Sequence, residues 1–258
     1  MPKSKLVSTL IAGAVALQSI VQAASPFATS IVDYNPGAGA APGFSFPQAA
    51  LGEPSRLNPF GEGTDPFNPP YGTNQIVSIG AGGWLIVRFH TPLLNHPHNL
   101  YGFDFTIFGN TGFVITNEFD FTTFDWIGVP ATDGSLFAQS TGQTRVAVSR
   151  DGVNYYPLDP LLAPALDSFA PTDGEGDFHI PLDPGLVVAD FSGATLADMR
   201  TLYLGSAGGA SLDISWARDA AGLPVFLPEI NFVRIDVLDG KAEIDGIAAV
   251  ARQPDHGP

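Results

Sequence analysis

The chain has 258 residues, of which 45% are hydrophobic, with 29 glycines, 23 prolines, 19 phenylalanines and no cysteine. Its formal net charge of −15 disfavours binding to nucleic acid or to anionic lipid, because charges of the same sign repel. The lack of cysteine excludes disulfide bonds, thiolate catalysis and cysteine-ligated zinc. Stability must therefore come from the burial of a core.

The first predicted element in chain order is a secretory signal peptide, residues 1–23. Lys3 and Lys5 precede an apolar run over residues 6–21, and small residues follow up to Ala24. A retained membrane anchor is the alternative, but the run is shorter than the roughly 20 residues that a spanning helix needs. We expect a secreted protein, located outside the cell, at its surface or in the periplasm, with no membrane span after cleavage.

The rest of the chain predicts one β-sandwich domain over residues 24–250 and a flexible tail over residues 251–258. Residues 24–71 are rich in Gly, Pro and Asn and predict a long irregular segment. Short helices are predicted at residues 47–51 and 195–202, the second with Thr195 as its cap. Alternating apolar residues predict strands at residues 75–79, 84–89, 103–108, 144–149, 154–158, 201–204, 211–216, 232–238 and 243–250.

Glycine-containing turns predict how these strands connect. Hairpins are expected at residues 80–83, at Asp151-Gly152 and at Asp239-Gly240. Many short strands joined by such turns are typical of all-β proteins. The predicted fold is therefore an antiparallel β-sandwich of the jelly-roll, galactose-binding-like type.

Five segments of the chain resemble a known group of proteins. They are LGEPSR at 51–56, VSIGAGG at 77–83, GFDFTIFGN at 102–110, VSRDGVNYY at 148–156 and EIDGI at 243–247. In this order they are similar to an uncharacterised family of bacterial secreted or cell-surface β-sandwich proteins. The resemblance implies location and architecture but no activity. Members often end in an exosortase (PEP-CTERM) sorting tail; residues 253–258 do not match one, so that route of anchoring is not expected.

Carboxylates predict a first candidate calcium site. Calcium takes roughly six to eight oxygen ligands, which acidic loops can supply. Jelly rolls that resemble galactose-binding modules often hold a cation where the N-terminal segment meets the last strand, which here would pair Asp33 with Glu243 or Asp245. The alternative is that Asp245 caps a turn and Glu243 faces water.

A second candidate calcium site is the loop Asp173-Gly174-Glu175-Gly176-Asp177. Three carboxylates alternate with glycines there, so the loop could fold around an ion. It does not match an EF-hand, because Phe178 occupies the position where that loop needs glycine. A solvated acidic turn is the alternative.

Aromatic residues next to polar ones predict a glycan-binding surface at Trp126 and at the Tyr155-Tyr156 pair. Core packing is the alternative for all three, and it is the expectation for Trp84 and Trp216, which lie in alternating strands. Histidine chemistry at His96-Pro97-His98, or at His179 beside Asp177, is the weaker hypothesis, since no third zinc ligand stands nearby in sequence.

The sequence carries no nucleophile elbow, zinc-protease helix or phosphate loop. We therefore expect a binding or structural role, with calcium as the ion and an extracellular glycan or surface matrix as the partner. A calcium-dependent glycan hydrolase or lyase and a purely structural surface protein are the alternatives.

Overall fold

The computed structural model describes residues 25–140 and 142–251. The predicted signal peptide and all of the predicted tail except Ala251 lie outside these ranges. No helix within them is long and apolar enough to span a bilayer.

The described residues form fourteen strands and one α-helix. The helix, α1, spans Leu196–Tyr203, and the strands are β1 (Ser30–Asn35), β2 (Val77–Gly80), β3 (Trp84–Leu94), β4 (Phe105–Phe108), β5 (Gly112–Phe113), β6 (Phe119–Asp120), β7 (Asp125–Trp126), β8 (Leu136–Phe137), β9 (Thr144–Ser149), β10 (Tyr156–Pro157), β11 (Ala210–Leu212), β12 (Glu229–Val237), β13 (Lys241–Ile244) and β14 (Gly246–Ala249).

Two antiparallel sheets face each other across the main core. The first has the order β1-β3-β12-β9-β10, and the second has the order β11-β4-β14. Alternating side chains of the first sheet, such as Val87, Val146 and Val233, pack with Phe105 and Ile247 of the second. The prediction of an all-β antiparallel sandwich is confirmed, whereas the jelly-roll connectivity stays a prediction.

Two of the three predicted hairpins are wrong. β2 pairs with β13, and β3 pairs with β12, so neither β2 with β3 nor β12 with β13 forms a hairpin. Between β2 and β3, and between β12 and β13, the chain instead bends, so that β3 and β12 lie in the five-stranded sheet while β2 and β13 form a separate two-stranded ribbon. Glycine is needed at the bend, because a Cβ on Gly80 would collide with the carbonyl oxygen of Ala38. The third hairpin, at Asp151-Gly152, is confirmed by the pairing of β9 with β10.

Several predicted boundaries also differ. Residues 201–204 mostly belong to α1, and the strand expected at 211–216 ends at Leu212 and continues as the 3-10 turn Ile214–Trp216. The last predicted strand is broken at Asp245, where the chain passes from β13 to β14. The cap of α1 is confirmed: Thr195 Oγ1 accepts from the Asp198 backbone N–H, and the Asp198 carboxylate accepts from the Thr195 N–H.

A second, smaller core lies around α1. Met199 and Tyr203 of the helix pack with Phe113 and Phe191, and the Phe113 and Phe191 ring centroids are 4.9 Å apart. This core holds the base of a long antiparallel excursion, residues 112–137, which we call the arm.

Candidate functional site

The arm is a continuous antiparallel ribbon. β5 pairs with β8 at its base and β6 pairs with β7 near its end. Between them the Val114 N–H donates to the Ser135 carbonyl at 2.8 Å, and the Thr116 N–H donates to the Ala131 carbonyl at 2.9 Å. We call residues 118–129 the arm tip.

Backbone and side-chain hydrogen bonds fix the arm up to the start of the tip. The Thr132 N–H donates to the Ala194 carbonyl at 3.1 Å, which ties the base to the segment before α1. The Asn117 amide donates to the carbonyls of Ile127 and Val129, and its oxygen accepts from the Ala131 N–H at 2.7 Å. The tip is therefore presented on a rigid support.

Four aromatic rings cluster on the arm tip. The Phe119 ring lies 5.2 Å from Phe121, 6.4 Å from Phe124 and 5.0 Å from Trp126, between centroids. Phe121 is 78% exposed and Phe124 is 79% exposed, and Ile127 and Val129 are also exposed. Within the described ranges, these four rings make ring contacts only with one another. A cluster of large apolar side chains left in water marks a binding surface.

Phe124 is held in a strained backbone conformation. Its φ is 56°, in the left-handed region that bulky residues rarely adopt. Such strain costs on the order of 1–3 kcal/mol, and exposure of the ring recovers little of it by burial. Strain of this kind concentrates at functional sites.

The arm tip is acidic. Asp120 lies directly opposite Asp125 across β6 and β7, and Glu118 precedes them. Residues 112–137 contain no Lys, Arg or His. Like charges on opposed residues destabilise a strand pair, so donors supplied by a ligand would stabilise the tip. A hydrogen bond from the Thr122 backbone N–H lowers the pKa of Asp120, which keeps this carboxylate ionised.

The other two predicted ligand-binding residues lie elsewhere. Tyr156 is on β10, opposite Val148, and packs against the main core. The Tyr155 hydroxyl is buried with no hydrogen-bond partner in the part of the chain that the structure describes, and burial raises its pKa. No ring contact between described residues joins either tyrosine to Trp126.

The predicted calcium ligands of the first site each have a donor within the protein. Asp33, on β1, accepts from the Trp84 indole N–H at 2.8 Å. Glu243 accepts from the Lys241 ammonium at 2.7 Å, and Asp245 accepts from both the backbone N–H and the hydroxyl of Ser55 at 2.7 Å.

Near Glu243 lies a buried aspartate that the sequence did not single out. Asp167 Oδ1 accepts from the Asn110 N–H at 3.0 Å and from the Thr111 N–H and hydroxyl at 3.0 and 2.9 Å. Burial raises the pKa of Asp167 to about 7, and it does the same for Asp104 and Asp245. We call Asp104, Asp167 and Asp245 the three buried aspartates.

At the second predicted calcium site the positive charge is a guanidinium. Arg200 Nε lies 2.8 Å from an Asp173 oxygen, and another Arg200 nitrogen lies 2.8 Å from a Glu175 oxygen. The Asp177 carboxylate accepts from the His179 backbone N–H at 2.8 Å. Across residues 25–140 and 142–251, no group of three or more His, Asp and Glu side chains could hold a metal ion. Calcium binding stays a prediction.

The histidines give little support to the weaker hypothesis. The His179 imidazole Nδ1 lies 2.8 Å from the Ala249 carbonyl oxygen. This is a main-chain contact, so the ring is not oriented by Asp177 as a catalytic dyad requires. His96 and His98 are in ring contact, with centroids 5.5 Å apart.

No protein-family model matches the chain. No curated protein matches it in sequence either. The fold and the surface define an antiparallel β-sandwich whose arm carries an acidic, aromatic tip.

Proposed function

We propose that this protein is a secreted or cell-surface binding module that recognises a neutral glycan through the arm tip. The observation that carries the proposal is the four-ring cluster around Phe119, in which Phe121 and Phe124 are exposed and Trp126 is half-buried, with Phe124 held at positive φ. The two-sheet core does not require these rings, since none of them belongs to a described core cluster. The free energy that the exposed rings and the strained Phe124 backbone cost the free protein is explained if a ligand covers the rings.

The chemistry of the tip favours a sugar over other ligands. Aromatic faces pack against the apolar C–H face of a pyranose ring, while hydroxyl groups of the sugar donate to carboxylates. Asp120 and Asp125 supply such acceptors beside the rings, and Thr122 and Thr123 add hydroxyls. Because every charge on the arm is negative, polyanionic glycans are disfavoured.

Affinity electrophoresis through gels that contain soluble polysaccharides tests this proposal. Neutral β-glucan, α-glucan and galactomannan are compared with alginate as the polyanion. We expect retardation by a neutral polysaccharide and none by alginate. Trp126→Ala should lower the affinity obtained from the retardation by about tenfold, because the loss of one stacked ring costs about 1–2 kcal/mol of binding free energy.

Phe226→Ala is the matched control, because Phe226 is 82% exposed and lies outside the arm. Its retardation should equal that of the unaltered protein. Equal retardation of Trp126→Ala would remove this residue from the site. No retardation by any neutral polysaccharide would leave a purely structural surface role as the better account.

A further inference from the structure

A small cavity lies between the end of β3 and the end of β14. Its walls include Pro92, Leu94 and Val250, which are apolar, together with the polar residues His96, Asn99 and Asp104. Its volume is about 160 Å³, below the roughly 300–1,000 Å³ of sites for drug-sized ligands. Any occupant must therefore be small.

Asp104 is a buried carboxylate without a charged partner in the described residues. Its Oδ1 accepts from the His96 backbone N–H at 3.0 Å and from the Asn99 amide at 2.9 Å, and its Oδ2 accepts from the Ile214 N–H at 2.9 Å. The other charged group that acts on it is Asp213, which is also negative. Burying a carboxylate with no counter-ion is costly.

Asn99 presents a second unmet requirement at the same cavity. Its side-chain nitrogen donates to Asp104, but its buried Oδ1 has no hydrogen-bond partner among the described residues. A buried acceptor without a donor typically costs about 1–3 kcal/mol. Among the described residues no cation lies against the carboxylate and no donor reaches the amide oxygen, and one group could supply both.

A related pair elsewhere in the protein holds an ammonium at the carboxylate, although the Asn110 Oδ1 there also has no hydrogen-bond partner among the described residues. The Asn110 side-chain nitrogen donates to Glu243 at 2.7 Å, in the same way as Asn99 donates to Asp104. There the Lys241 ammonium lies 2.7 Å from the other Glu243 oxygen and neutralises it. The asparagine–carboxylate pair of this fold is thus compatible with a primary ammonium.

We propose that the cavity beside Asp104 and Asn99 binds a small primary alkylammonium group. An ammonium carries a positive charge and three N–H donors, which matches a carboxylate without a counter-ion and an amide oxygen without a donor. Its alkyl chain would pack along Pro92, Leu94 and Val250. A hydrated metal ion suits these apolar walls less well, because it prefers a shell of oxygen ligands. The ammonium belongs either to a free amine or to a lysine side chain of a partner.

Binding of the ammonium is expected to depend on pH. Burial raises the pKa of Asp104 to about 7, so the carboxylate is mostly protonated at pH 6 and mostly ionised at pH 8. The groups that face it are the backbone N–H groups of His96 and Ile214, the Asn99 amide and the Asp213 charge, and the titratable residue His96 also lines the cavity. Because only the ionised form binds, the affinity should be about tenfold higher at pH 8 than at pH 6.

The test is an NMR titration that follows the Asn99 side-chain amide, together with thermal melts. The probes are n-butylammonium for a free amine, Nα-acetyl-lysine amide for a lysine side chain, and n-butanol as the uncharged control. Saturable shifts and a raised melting midpoint are expected with an ammonium probe but not with butanol. The probe with the higher affinity identifies the source of the ammonium.

Two pairs of variants make the result specific. Asp104→Asn should abolish binding, whereas Glu243→Gln, at the Asn110–Glu243 pair, should retain it. If Asp104→Asn does not fold, Leu94→Trp is used to narrow the cavity, because Leu94 lines it and is 51% exposed, so that a larger side chain is tolerated. Leu238→Trp is its control, because Leu238 is 50% exposed and does not line this cavity. Equal binding by butanol, or by the blocked variant, would overturn the proposal. The proposal would also be overturned if the measured pKa of Asp104 were well below 7 and rose in Arg252→Ala, because the chain would then supply its own cation.

Discussion

Replacement of Asp167 by alanine should strongly destabilise the fold. The carboxylate accepts from the N–H groups of Asn110, Thr111 and Glu243 and from the Thr111 hydroxyl. It thereby joins the turn after β4 to β13. Alanine would remove the acceptor of the three N–H groups, each at about 1–3 kcal/mol, whereas the Thr111 hydroxyl would keep the backbone carbonyl of residue 167. Relief of the repulsion between Asp167 and Glu243 offsets part of this, so we expect a loss of about 3–5 kcal/mol.

Urea unfolding at pH 7 measures this loss. Domains typically unfold with a free energy of about 5–15 kcal/mol and a urea slope of about 1–3 kcal/mol per molar, so the midpoint should fall by at least about 1 M. The control is Asp239→Ala, at an exposed turn, which should change the midpoint little. A loss below about 1 kcal/mol in Asp167→Ala, with an unchanged slope, would refute the reasoning.

Three further predictions concern buried charge. The three buried aspartates hold protons more tightly in the folded chain, where their pKa is about 7, than in the unfolded chain, where it is about 4. Stability should therefore fall as pH rises from about 4 to about 7, and a melting midpoint that rises across this window would contradict it. Asp245→Ala should lower the melting midpoint equally with calcium and with chelator, because Ser55 loses its acceptor. A lower midpoint seen only in the presence of calcium would show that a metal is responsible. Arg200→Met should cost about 2–3 kcal/mol in urea unfolding by leaving Asp173 buried and unpaired, whereas Arg150→Met, at an exposed pair, should cost under about 1 kcal/mol; equal losses would contradict this ranking.

The architecture of the sandwich could be predicted because its strands alternate locally. Val233, Ile235 and Val237 point to one side, and this pattern is visible without knowledge of the partner strand. The pairing was not predictable in the same way. Asp239-Gly240 has the composition of a hairpin turn, but β12 pairs with β3 and β13 pairs with β2, so the chain bends there instead.

The candidate site could be predicted only in part. Trp126 stood out because it lies next to polar residues, but nothing singled out Phe121 and Phe124, because phenylalanine is usually buried and this chain has 19 of them. The signal that could have identified them is the acidic, lysine-free stretch around Thr122-Thr123. Asp167 was unpredictable, because its donors come from Asn110 and Glu243, far from it in sequence.

The central claim, that the arm tip is kept for binding and not for folding, is tested most directly by Phe124→Gly. Glycine adopts a φ of 56° without strain, and the exposed ring contributes little burial. The variant should therefore melt at or above the midpoint of the unaltered protein, yet be retarded less by the neutral polysaccharide that the unaltered protein recognises. A lower midpoint together with unchanged retardation would contradict the account, because the ring would then serve the fold.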